Sequence, residues 1–168
     1  MHPSLLNITA SFVISLALHE LGHLLAARAC NVSVSEAGLG WGPKVKGFSF
    51  RGVTYQLRAL PLGAYVRMNM RELQSRPLVQ QLFVLLAGIV VNGLLGGLAW
   101  GTFFGALNLV LAVFNLFPVY QQDGWKIGMV FFRRVFRRNS PLVEWSFTIS
   151  AGSVALAFVL NFLTVFGF

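Results

Sequence analysis

Long apolar runs alternate with two basic, more polar stretches along this chain. The run from Leu5 to Ala27 covers roughly 34 Å at ~1.5 Å per residue, against about 30 Å of hydrocarbon core. It predicts a helix over 5–28. With no basic leader and no small-residue cleavage site, it does not read as a removable signal. Residues 28–77 change character. Lys44 to Phe50 and Val53 to Arg58 alternate with strand period, divided by Arg51-Gly52. A β-hairpin or small sheet is expected within 32–68, at the membrane surface or dipping into it. Pro77 to Gln122 then holds no charged residue and no His over about 46 positions, room for two spans and a turn. These predict helices at about 78–100 and 103–118, turning near Trp100 to Gly105. Gly93, Gly97, Gly101 and Gly105 recur every four residues, the spacing of a small-residue packing face. A short helix at about 124–138 and a last one at 142–166 complete the pattern.

The fold class expected is therefore a membrane protein, mainly α. It has about four transmembrane helices and a β-hairpin or small sheet after the first, in a single membrane-embedded domain over 1–168. Composition narrows this further. The 168 residues are 56% hydrophobic and only 11% charged, where about a quarter is usual in soluble domains. An ordinary soluble globule and a disordered chain are both excluded. One cysteine, Cys30, excludes a disulfide scaffold.

Thirteen Lys and Arg against five acids give a net charge of +8. Eight bases lie in 28–77, and Lys126, Arg133, Arg134, Arg137 and Arg138 are the rest. Basic loops stay cytoplasmic, and four spans put all thirteen on that side. Three or five would split the clusters. The charge thus reads as topology facing a lipid bilayer, with no nucleic-acid partner. Val135 and Phe136 between the two Arg pairs suit an interfacial helix.

The first helix carries His19-Glu20-Leu21-Gly22-His23. Residues i and i+4 share a helix face, so both imidazoles can reach one ion. Glu20 beside the first ligand can take a proton from water. Ionisable groups inside an apolar span cost roughly 2.5–3.5 kcal/mol each on insertion scales, so they are poor filler. A catalytic zinc needs a third protein ligand. His2 precedes the helix, on the opposite side. Glu36 falls in the hairpin, Glu72 beside Arg71 and Arg76, and Glu144 at a helix start, where it can cap. His19 is roughly 21 Å along its helix, in the cytoplasmic half. Asp123, ending the uncharged run on that side, is the candidate that elimination leaves, with a helix N-cap at Asp123-Gly124 as its alternative role.

His19-Glu20-Leu21-Gly22-His23 together with Asn115-Leu116-Phe117-Pro118-Val119-Tyr120-Gln121-Gln122-Asp123-Gly124 resembles the site-2 protease family of intramembrane zinc metalloproteases. Gly40-Trp41-Gly42-Pro43-Lys44, Pro61-Leu62-Gly63-Ala64-Tyr65-Val66 and Ala87-Gly88-Ile89-Val90-Val91-Asn92 resemble further family segments, in order, over about residues 12–130. The resemblance implies His19, His23 and Asp123 as ligands of one Zn2+ per chain, with Glu20 as general base. It implies Asn92, Asn115 and the segment Gly63, Ala64, Tyr65 as substrate-binding residues. The two asparagines could equally bond between helices. The sequence departs from the family at Trp125, Ala64 and Ile89, which touches local backbone and substrate preference.

The function expected is hydrolysis of peptide bonds in or near transmembrane segments of membrane protein substrates. The length implies a compact form without PDZ or CBS domain, in a bacterial or archaeal cell membrane, its site toward the cytoplasm. The alternatives are a membrane metal-binding or transport protein that does not hydrolyse, and an inactive protease relative. The pattern leaves the oligomeric state open.

Overall fold

The computed structural model describes residues 4–136 and 141–165. His2, Arg137, Arg138 and Phe166 of the expectations above lie outside them. The element order is α1 (Leu5–Ala29), β1 (Val34–Phe50), β2 (Val53–Met68), α2 (Met70–Ser75), α3 (Leu78–Leu98), α4 (Phe103–Leu116), α5 (Asp123–Phe136) and α6 (Pro141–Val165). The chain is mainly helical with a small sheet after the first helix. Among the described residues, α1 and α3 are long and apolar enough to cross a membrane, and α4 is a shorter apolar helix.

The chain divides into two compact units, one ending at Ala112 and one beginning at Val113. In the first, α1 packs on α3 and on the sheet. The Ser4 hydroxyl caps α1 by accepting from the amide of Asn7. Val84, Leu85 and Ile89 of α3 and Leu24, Ala26 and Ala27 of α1 are buried. Two buried polar groups join α1 to α4, where Asn108 Nδ2 donates to Ser15 Oγ across 2.9 Å.

The turn between α3 and α4 holds Gly101 at φ +79, a left-handed value that favours glycine. Of the glycines spaced every four residues, Gly105 alone makes a close approach, to the Ala99 carbonyl. A side chain at Gly93, Gly97 or Gly101 would meet nothing, whereas Gly96 lies against Leu109. Gly96, one residue off the repeat, lies on the side of α3 that α4 folds back on.

β1 and β2 form an antiparallel pair joined through Arg51 and Gly52, at φ 48 and 77. Two consecutive positive φ values belong to a tight hairpin turn whose twist suits the flanking strands. The strands double back on themselves. Residues 36–39 have partners on both sides: Thr54 to Leu57 on one and Ala64 to Arg67 on the other. Residues 44–50 pair with 53–58 and are exposed along their whole length. The short helix α2, which the hydropathy pattern does not show, is capped by the Asn69 side chain accepting from the amides of Arg71 and Glu72.

The second unit centres on α5 against α6. Trp125 Nε1 donates to Thr148 Oγ1 at 3.0 Å, and Arg133 pairs with Glu144.

Candidate metal centre and adjoining cleft

α1 presents two faces with different chemistry. Toward α3 it buries His19 and His23, each 4% exposed. Their Nε2 atoms face each other at 3.2 Å. A carbonyl oxygen only accepts, so the 2.8 Å contact of His23 Nδ1 with Val84 O puts the ring proton on Nδ1. That leaves the Nε2 lone pair directed at the neighbouring imidazole. Two nitrogens bound to one tetrahedral zinc stand about 3.3 Å apart, from Zn–N lengths of ~2.0–2.1 Å. The observed pair fits that edge.

Gly88 of α3 keeps the place open. A Cβ there would come within 2.4 Å of His23 Nε2 and 2.6 Å of His19 Nε2. No side chain fits without displacing both imidazoles. Hydropathy shows Gly88 only as one more small residue of an apolar helix. One turn further along α3, Asn92 is fully buried, and its side-chain amide has no hydrogen-bond partner among the described residues.

Glu20 follows His19 directly on α1. It lines a cleft of about 530 Å³ between α1 and the sheet. Ala17, Leu21 and Leu24 continue the helix wall, and Leu39, Phe48, Leu57 and Ala64 belong to the sheet wall. Glu20 precedes His23 by three residues, about 60° round the helix at ~3.6 residues per turn, so it stands between the imidazoles and this open, largely apolar cleft.

The sheet also carries a charged network, whose Tyr65 borders the cleft. Tyr65 OH donates to Glu36 Oε1, and Arg58 Nε donates to Tyr65 OH at 3.2 Å. Arg67 stands 3.2 Å and Arg58 3.6 Å from the Glu36 carboxylate. The Tyr65 hydroxyl, then the two arginines, hold the Glu36 carboxyl below its usual range. Burial and the neighbouring carboxylate raise Tyr65. Gly63, at φ +102, lies under the Trp41 indole.

Glu72 accepts from the amide of Ser33 at 2.7 Å and from Asn69 Nδ2 at 2.8 Å. That bonding, the Ser33 amide foremost, lowers its pKa. The arginine neighbours in the sequence did not show this amide partner, which is 39 residues away.

In the second unit, Asp123 is the first residue of α5 and is buried. Lys126 Nζ lies 2.9 Å from its Oδ1. Asn115 is half-buried near the end of α4.

Comparison with known sequences gives the family. The pattern of peptidase family M50 matches residues 7–104, more than half of the chain. The chain belongs to this family, the site-2 proteases. Zinc metalloprotease RasP of Geobacillus kaustophilus is 40% identical over 65 residues, 39% of this chain and 15% of the relative. Membrane metalloprotease ARASP, chloroplastic, of Arabidopsis thaliana is 33% identical over 101 residues, 53% of this chain and 23% of the relative. The chain thus spans less than a quarter of the length of either.

Proposed function

We propose that this protein is an intramembrane zinc metalloprotease that hydrolyses peptide bonds in or near transmembrane segments of membrane proteins. The observation that carries the reading is the convergence of His19 Nε2 and His23 Nε2 at 3.2 Å, beside Glu20, which borders an open cleft. In this reading His19, His23 and Asp123 hold one zinc. When bound, zinc supplies Lewis acidity toward water and the scissile carbonyl. Glu20 accepts the proton of the attacking water and delivers it to the leaving amine. The Val84 carbonyl keeps His23 in the ligating tautomer.

A transmembrane helix hides its carbonyls in hydrogen bonds, so the substrate unwinds locally before attack. The extended segment lies in the cleft and adds to an exposed edge of the sheet. Ala64 lines that cleft, and Asn92 and Asn115 supply polar contacts to the substrate backbone. Four crossings, with the bases and the site on the cytoplasmic side, complete the arrangement.

Cleavage of a single-span substrate by the purified chain in detergent tests the reading. Proteolysis within or beside the span, abolished by a zinc chelator and restored by added zinc, is expected. Cleavage indifferent to chelation contradicts it.

A further inference from the structure

The sheet wall of the cleft holds one misfit. Directly paired residues of neighbouring strands share a face. The pairs Ala37–Val66, Ala37–Tyr55, Leu39–Ala64, Leu39–Leu57, Phe48–Tyr55 and Lys46–Leu57 therefore define one face, and all these residues line the cleft. Every member but Lys46 is aliphatic or aromatic. Lys46 is the one cation among the residues that line the cleft, where the sheet also contributes Gln56 and Tyr65 and α1 contributes Glu20.

Its orientation is built in. Lys44 pairs with Arg58 and Lys46 with Leu57, so two steps on one strand oppose one on the other. That is a β-bulge at Val45, a device that re-aims side chains. Without it the two lysines would share a face. Instead the Lys44 side chain lies where a Cβ of Gly47 would be, 2.5 Å from its Cε. Since Gly47 alternates with Lys46 and Phe48, Lys44 is on the opposite face, that of Glu36, Arg58 and Arg67.

There Arg58 and Arg67 both pair with Glu36. Lys46 has no ion pair among the described residues.

We propose that Lys46 sets substrate preference, selecting a segment that carries an Asp or Glu side chain within an apolar stretch and disfavouring one with a cation at that place. The proposal rests on the protease reading and names the substrate chemistry of the same cleft. A carboxylate entering along the sheet wall of the cleft meets the exposed Lys46 ammonium, and opposite charges attract. A lysine or arginine there meets a like charge, the repulsive element by which sites reject wrong partners. The paired arginines on the other face offer no such contrast.

The test uses the full chain in detergent and a set of single-span substrates of one parent sequence. Gln, Glu or Lys is placed in turn at each position flanking the cleaved bond. The readout is the ratio of kcat/KM for the Glu and Lys substrates, which does not depend on the fraction of active enzyme. At one position the unmodified protein favours Glu by at least tenfold. Lys46→Gln brings that ratio close to one, and Lys46→Glu inverts it. Lys44→Glu leaves it in place.

Equal ratios in all four proteins overturn the proposal, as does a Lys44→Glu effect as large as that of Lys46→Glu. So does a Lys46→Glu protein whose ratios are unchanged but whose activity loses its dependence on anionic lipid, which would make Lys46 a headgroup contact. If the parent is cleaved, the protease reading stands whatever the ratios. If no substrate is cleaved, the reading fails and the proposal with it.

Discussion

His23 Nδ1 donates to the backbone carbonyl of Val84 across 2.8 Å, linking the imidazole-bearing side of α1 to α3 through a main-chain acceptor. The acceptor is backbone, so it survives side-chain substitution at residue 84. Val84→Ala is expected to lower stability, since Val84 is fully buried, and to leave zinc content near one per chain. His19→Ala and His23→Ala are expected to lose the metal. Metal analysis of the purified proteins checks all three.

Gly88→Ala puts a methyl carbon within 2.4 and 2.6 Å of the two Nε2 atoms. Helix propensity alone would favour alanine, so a loss cannot come from a weaker helix. Zinc affinity is expected to fall by about 10- to 100-fold, the scale of damage to groups that orient ligands. Competition with a chromophoric chelator measures the affinity, and circular dichroism should show unchanged helicity.

The carboxyl of Glu36 titrates below its ordinary value of 4.5 because it accepts the Tyr65 hydroxyl and faces two arginines. A depressed folded-state pKa gives stabilisation that is complete above the unfolded value and lost as pH falls through the folded one. Glu72 acts in the same direction through the Ser33 amide. The thermal midpoint in detergent should be level near neutral pH and fall on acidification below about 4.5. Glu36→Gln should flatten part of that fall and leave the share due to Glu72.

Asn108 and Ser15 are both fully buried and joined by one hydrogen bond. Such pairs in membrane proteins couple by about 0.6 kcal/mol and at most ~1.7 kcal/mol. A double-mutant cycle of Asn108→Ala and Ser15→Ala, read by unfolding in mixed micelles, should give a coupling within that range.

Much of the frame was legible because it rests on local pattern. Two imidazoles one helical turn apart in an apolar run point to a metal, because ionisable groups are costly there without a partner. A mainly helical chain with a small sheet follows from hydropathy and strand alternation. What was hidden depends on contacts distant in sequence. The bulge at Val45 separates two lysines that simple alternation puts on one face. Gly88 looks like a packing residue until α3 is laid against the imidazoles. The four-residue glycine repeat suggests a packing face, yet of its members only Gly105 makes a close approach, and Gly96, outside the repeat, makes another. Glu72 sits beside arginines in the sequence but answers to the Ser33 amide.

The central claim is that Glu20 moves protons for a metal held by its neighbours. The direct measurement is Glu20→Gln, assayed for zinc content and for cleavage of a single-span substrate. Gln keeps the side chain's size and removes its capacity to accept the water proton. The account predicts one zinc per chain, as in the unmodified protein, with cleavage reduced by at least about 100-fold, the lower end of what a general base contributes. Undiminished cleavage by the zinc-loaded Glu20→Gln protein would contradict it.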